Sequence, residues 1–323
     1  MVPSSRRQST DGETGAHGHS GRRSADCLFR GPLNALSVDV EDYYHVSAFE
    51  KDIPRARWPE FPSRVVANTR RILALLDSSQ VKATFFVLGW VAQRHPGLVR
   101  EIHGLGHEIA SHGFWHRLVY TQSPGQFRAD VQLSRDVLQE IIGRPVTAYR
   151  APSFSITRRS LWALEILVEE GFLTDTSVFP IVHDRYGIPG AKRRLHQTIT
   201  PAGPIWEFPP ATIRIAGVNL PVGGGGYFRL LPLRWTVRAL SRINRTAGEP
   251  FIFYVHPWEL DPGQPRLRAA SRVSRFRHYV NLAKTERKLQ RLLRAFRFGP
   301  LRDVTARHAG GERRERPATV LPC

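Results

Sequence analysis

The sequence predicts an α/β fold organised around a parallel sheet. Short apolar runs alternate with helical periods from residue 35 to residue 170. The connections between successive runs are long enough for parallel crossovers. Polar residues suited to chemistry gather at the C-terminal end of one run after another, where parallel α/β barrels build their sites.

Each element has its own signal. Residues 35–40 (ALSVDV) read as a strand that runs into acids. Residues 63–79 place Val65, Val66, Thr69, Ile72, Leu73 and Leu76 at helical intervals. Residues 82–89 (KATFFVLG) predict a buried strand, 91–105 a helix, and 107–112 (HEIASH) a further strand. Residues 123–142 form an amphipathic helical pattern, with Ser123 as N-cap and Gly143 as stop. Residues 146–152 (VTAYRAP) predict a strand, and 160–170 a helix closed by Gly171. Beyond residue 174 the texture becomes Gly- and Pro-rich, with loops and short strands through 205–232. A helix at 234–243, a buried strand ending in His256 and a basic amphipathic helix at 281–296 complete the pattern. The apolar side of that last helix is Leu282, Leu289, Leu292, Leu293 and Phe296. The expected organisation is a disordered basic lead at 1–31, one domain at 32–297 with a C-terminal extension from about 180, and a disordered tail at 298–323.

Composition narrows the classes. The chain has 323 residues, 41% hydrophobic and 23% charged, enough for a sizeable core. Its net charge of +19 is concentrated at the ends, in Arg6, Arg7, Arg22 and Arg23 and in the arginines from 266 to 316. No zinc knuckle, RNA-recognition signature or basic zipper accompanies it, so solvated tails are favoured over a specific nucleic-acid partner. The C-terminal basic helix is a candidate for peripheral contact with an anionic membrane. The two cysteines, Cys27 and Cys323, lie in terminal segments and form no disulfide framework. The N-terminus has no apolar signal core, and no run approaches the ~18 apolar residues of a membrane span. A cytoplasmic protein is expected.

Five segments carry candidate chemistry. In SVDVEDYYHV, Asp39, Glu41 and Asp42 follow an apolar strand, and burying such acids requires cations or a metal. On a strand, Asp39 and Glu41 share a face and Asp42 points away, unless the chain has already turned. In HEIASHGFWH, His112 and His116 are four apart, which on a helix or tight turn lets two imidazoles converge on one ion. His107 reads as structural. In YRAPSFS, Arg150 ends a strand and can orient a carboxylate, while the small residues let backbone amides approach a substrate oxygen. Asp175 is a lone acid at a strand end that can pair with Arg150 or a histidine. In FYVHPWELD, His256 ends a strand before a proline and can serve as a general acid. Singly these signals are weak, because a surface His-x-x-x-His or a core histidine is common. Their ordered recurrence at strand ends is not.

With these motifs in hand, the chain resembles the NodB-type polysaccharide deacetylases, carbohydrate esterase family four. It is most similar to the exosortase-associated subgroup of exopolysaccharide loci. SVDVEDYYHVSAF, GHEIASHGFWH, YRAPSFSI, FYVHPWELD, WEFPP and PVGGGGYFR carry the likeness, which spans residues 36–297. The resemblance implies a distorted (β/α)7-type barrel and a divalent metal, Zn2+ in most relatives. It implies His112 and His116 as ligands, Asp39 as general base, His256 as general acid, Arg150 as the residue orienting the base and Asp175 as a supporting acid. The family's first motif has adjacent aspartates, whereas Val40 follows Asp39 here. The third ligand is therefore Glu41 or Asp42, with the strand-face argument favouring Glu41. The implied activity is metal-dependent N-deacetylation of N-acetylated amino sugars in a poly- or oligosaccharide during exopolysaccharide biosynthesis. The alternatives are an allantoinase-like cyclic amide hydrolase and a non-catalytic protein binding anionic glycan or nucleic acid. Tyr43, Trp115 and Trp258 flank the motifs as candidate sugar-stacking aromatics. Core packing would explain them equally well.

Overall fold

The structure, a computed structural model, describes residues 31–267 and 271–315. The N-terminal half alternates as the sequence predicts. It runs β1 (Asn34–Val40), α1 (Val65–Ser78), β2 (Thr84–Val87), α2 (Gly89–Arg94), α3 (Pro96–Gly104), β3 (Glu108–Ser111), α4 (Pro124–Ile142), β4 (Ala148–Tyr149), α5 (Trp162–Glu169) and β5 (Thr174–Asp175). Next come β6 (His196–Thr200), β7 (Gly203–Glu207), β8 (Thr212–Ile215) and β9 (Val218–Pro221). After them follow α6 (Gly225–Leu230), α7 (Leu233–Ala247), β10 (Ile252–Val255), α8 (Arg272–Tyr279), α9 (Leu282–Leu293), β11 (Phe298–Gly299) and α10 (Leu301–Glu315).

Neighbouring strands pair in the order β10-β1-β2-β3-β4-β5-β7-β6, with β11 also on β1. All of these pairs are parallel except the β6–β7 hairpin. β1, β2, β3 and β10 are buried along their whole length, as central parallel strands covered by helices must be. The outer edge of β10 is met by isolated parallel bridges, Pro210 to Ile252 and Gly224 to Tyr254. Gly224 is required there. Its φ is 131°, and an added Cβ would lie 1.9 Å from the Tyr254 carbonyl oxygen. The glycine run therefore lays backbone against β10 beside the strand ends. Among the described residues, no helix is long and apolar enough to cross a membrane.

Local signals account for the helix ends. Ser123 accepts from the Gln126 N–H in a capping box, and Gly143 closes α4 at φ 64°. The single helix expected at 91–105 is instead two. His95 precedes Pro96 and leaves the helical region (φ −130°, ψ 56°), because the proline ring crowds the preceding residue. The apolar side expected for α9 is buried, including Leu289 and Leu292 at 0% exposure.

The boundary at 298 is corrected. Phe298–Gly299 pairs with β1, and Leu301 and Val304 are buried. The start of α10 meets a buried carboxylate. The Arg302 N–H donates to Glu108 Oε2 at 3.1 Å, and the Leu301 N–H donates to Thr84 Oγ1 at 2.7 Å. Free amides at a helix N-terminus suit a buried acid. A two-residue strand and a mostly polar helix give too little periodicity to register in the sequence. The expected lead at 1–30 and the tail beyond 315 lie outside the described residues.

Truncation after Arg297 should strand Glu108 without its backbone donor and uncover the apolar surface, Ala35 and Phe86 included, that Leu301 and Val304 cover. Urea denaturation is expected to show a loss of about 3 kcal/mol or more. A truncated chain as stable as the full one would make residues 298–315 an appendage.

Candidate active site

Because the strands are parallel, their C-terminal ends share one face of the sheet. Asp39 lies near the end of β1, with Glu41 just past it. His112 follows β3, Arg150 follows β4 and His256 follows β10. Asp39, Glu41, His112 and His256 line a cleft of about 190 Å3, together with His116, Phe154, Tyr186 and Tyr254, while Arg150 is buried behind Asp39.

Arg150 is the largest fully buried side chain. Its Nη1 donates to Asp39 Oδ1 at 2.6 Å and to Ser37 Oγ at 2.9 Å, and its Nε donates to Thr176 Oγ1 at 2.6 Å. The guanidinium also lies 4.2 Å over the Phe86 ring. A charge this deep is tolerable only beside an opposite charge; Nε and Nη1 are engaged, while Nη2 has no hydrogen-bond partner among the described residues. Asp39 thus has one oxygen tied to Arg150. The other, Oδ2, stands 3.8 Å from His256 Nε2.

Glu41, His112 and His116 form a group that could hold a metal ion. One ligand atom from each lies within 4.8 Å of the others, and all three residues are buried. Glu41 Oε2 is 2.8 Å from His116 Nε2, and Trp258 Nε1 donates to Glu41 Oε1 at 3.2 Å. His112 Nδ1 is 2.8 Å from the Arg150 carbonyl oxygen. A carbonyl only accepts, so Nδ1 carries the proton and Nε2 presents its lone pair. Burial, reinforced by neighbouring His116, lowers the His112 pKa to about 4 and keeps the ring neutral. Burial alone would raise the Glu41 pKa, but His116, His256 and His112 hold it well below the usual carboxylate range. A carboxylate beside two imidazoles, that of His112 fixed by the Arg150 carbonyl, fits a divalent zinc-type ion with an open position.

His116 is carried on a tight turn rather than a helix. Gly113 (φ 73°) and His116 (φ 51°) are left-handed. Asp130 on α4 pins the turn by accepting from the Phe114 and Trp115 N–H groups at 2.8 and 3.1 Å. His107 is structural, as expected, and accepts from the Ala83 N–H at 3.1 Å.

Asp42 belongs elsewhere. Its Oδ2 accepts from Ser63 Oγ (2.8 Å) and from the Arg64 and Val65 N–H groups (2.8 and 3.1 Å). It therefore caps the start of α1 from a distance. Asp175 does not touch Arg150. It accepts from the Ser177 N–H and Oγ at 3.0 and 2.6 Å, and Ser177 Oγ accepts from the Ala151 N–H at 2.7 Å. Asp175 thus supports the turn after Arg150, while its neighbour Thr176 meets the guanidinium. Asp175 also faces Glu207 across β5 and β7. Burial, with Asp175 beside it, pushes the Glu207 carboxyl well above its ordinary value, so Glu207 keeps a proton.

His256 is tethered from behind. Its Nδ1 lies 3.1 Å from Glu259 Oε2, and Glu259 Oε1 accepts from Arg229 Nε at 2.7 Å. Burial opposes charge on His256, but Glu259, Glu41 and Asp39 outweigh it and raise the pKa to about 9. Glu259, Thr176 and Ser37 are site residues that the motif reading passed over. For Glu259 a signal existed, since its place three residues after His256 matches a capping turn.

The turn after Arg150 is strained. Ser153 and Phe154 are consecutive non-glycine residues at φ 52° and 53°. The Phe154 N–H donates to Ala151 O and the Ser155 N–H to Pro152 O. That leaves the Ser153 N–H as the turn's uncommitted amide. The aromatics behave as packing groups. Tyr43 is fully buried, and Trp258 is sandwiched between His256 at 5.1 Å and His278 at 4.3 Å. Trp115 is half-buried against the core.

Comparison with known proteins places this geometry. Residues 58–167 match the family model described as "Polysaccharide deacetylase", and 176–306 match one described as "Domain of unknown function (DUF3473)". The chain is 32% identical over 98 residues to a peptidoglycan-N-acetylglucosamine deacetylase of Bacillus cereus, covering 30% of this chain and 36% of the relative. It is 37% identical over 111 residues to YheN of Bacillus subtilis, described as a polysaccharide deacetylase, covering 33% and 38%. The chain therefore spans under two fifths of the length of these relatives. Among solved structures, a Mycobacterium smegmatis chain described as a polysaccharide deacetylase aligns at TM-score 0.59 and 18% identity, covering 91% of this chain and 94% of that one. The Puue allantoinase aligns at 0.55 and 16%, covering 86% and 90%. At these identities the two structures show a shared fold.

The roles of the neighbouring acids separate by mutation. Glu41→Gln should lower zinc content of the purified protein at least tenfold. Asp42→Asn should leave zinc content near normal while lowering stability by about 1–3 kcal/mol through the lost cap. The reverse pattern, read by elemental analysis and denaturant melts, would make Asp42 the ligand.

Proposed function

We propose that this chain, which carries a polysaccharide-deacetylase domain of the NodB type, hydrolyses the acetamide of an N-acetylated amino sugar in a poly- or oligosaccharide. Glu41, His112 and His116 would hold a divalent metal, with zinc the best match to the donor set. One observation carries the reading. A buried ligand set adjoins an arginine-held aspartate and a glutamate-held histidine that stand 3.8 Å apart.

A bound divalent cation supplies Lewis-acid polarisation of the acetyl carbonyl and lowers the pKa of water. The protein residues divide the remaining work. Arg150 fixes Asp39 through Oδ1, leaving Oδ2 to take the proton from attacking water. The uncommitted Ser153 N–H is the donor available to a developing oxyanion. His256, held protonated against Glu259, passes its proton to the departing nitrogen as the C–N bond breaks. The products are acetate and a free amino sugar. The wider setting we propose, exopolysaccharide biosynthesis, rests on the motif likeness.

Acetate release from N-acetylated chitooligosaccharides with added zinc tests the reading. Asp39→Asn keeps an amide oxygen for Arg150 but removes the base, and kcat should fall by about 10^2–10^4 with zinc content retained. Unchanged turnover in that variant would remove Asp39 from the mechanism. Activity on cyclic ureides with none on acetylated sugars would favour cyclic amide hydrolysis instead.

A further inference from the structure

The cleft is large enough for about one sugar ring, so the rest of a glycan must cross its rim. Two arginines line that rim. Arg185 lies between β5 and β6, and Arg277 lies on α8. Both are exposed, and neither forms an ion pair among the described residues. Neither acid nearby, Glu50 or Asp184, forms an ion pair with them. Glu50 pairs with Arg55 at 2.8 Å, while Asp184 is solvent-exposed beside His183, whose Nδ1 accepts from the Arg185 N–H at 3.2 Å. Both guanidiniums line the same cleft, and burial, with Arg185 and Arg277 adding to it, disfavours charge on the nearby His183 ring. The Tyr186 ring stacks on His183 at 3.8 Å and continues from there into the cleft wall.

Two exposed guanidiniums at one opening, without ion pairs among the described residues, present planar donor forks. An anionic oxygen group satisfies the forks. We propose that Arg185 and Arg277 form a cationic subsite for a carboxylate or phosphate carried next to the acetylated position. The enzyme would then select anionic N-acetylated glycans over neutral ones. This rests on the deacetylase reading above.

The test compares di-N-acetylchitobiose, a hyaluronan tetrasaccharide and N-acetylglucosamine 1-phosphate at low salt. For wild type, kcat/KM on at least one anionic substrate should exceed the neutral value tenfold or more. Which one does so identifies carboxylate or phosphate as the group bound. The advantage should shrink as salt rises. In the double variant R185A/R277A the anionic-to-neutral ratio should fall at least tenfold, and R185K/R277K should keep most of it. No preference in wild type, or a ratio that survives the alanine pair, overturns the subsite. If no acetylated sugar is hydrolysed, the deacetylase reading has failed and calorimetry with both anionic ligands decides the subsite. Binding lost in the alanine pair upholds it. Absent binding, or equal binding by wild type and variant, rejects it.

Discussion

A guanidinium with no exposed surface holds the site together. Arg150 reaches from the end of β4 to Asp39 on β1 and Thr176 after β5, crossing beneath the cleft on the Phe86 ring. Without Asp39 the arginine would be an uncompensated buried charge, and without Arg150 the aspartate would be one. Each therefore fixes the other's place. The backbone carbonyl of Arg150 also holds His112 Nδ1, so one residue fixes both the Asp39 carboxylate and the His112 tautomer.

That constraint sorts three nearly adjacent acids. Asp39 is claimed by Arg150, and Asp42 by the first amides of α1. Glu41 faces two imidazoles and the Trp258 N–H. Each carboxylate meets a different kind of partner, and its chemistry follows from that partner rather than from residue type. The C-terminal half repeats the device. Arg229 holds Glu259, Glu259 holds His256, and β10 aims the ring at the cleft. The glycine run at 223–226 then brings backbone onto β10, which a side chain at Gly224 would prevent.

Much of this was legible in the sequence. The strand ends and the strong α4 pattern could be read from periodicity; Asp39 and Glu41 both line the cleft, although Glu41 lies past the end of β1, where the chain has turned and strand alternation no longer applies. The second-row partners could not be read. Thr176 and Ser37 are ordinary strand-end hydroxyls whose role appears only when β1, β4 and β5 align. Asp175 looked like a partner for Arg150, but the chain turns so that its neighbour takes that place. The segment from 298 to 315 was hidden because its contacts, Leu301 with Thr84 and Arg302 with Glu108, span about two hundred residues. Local pattern carries no trace of such pairings.

The division of labour among Asp39, Glu41 and Asp42 is most directly tested by a crystal structure grown with zinc, using anomalous scattering to place the ion. The account predicts an ion bound by Glu41 and the Nε2 atoms of His112 and His116, with Asp39 still on Arg150 and Asp42 still on the amides of α1. An ion held by Asp42, or by Asp39 drawn away from Arg150, would contradict it.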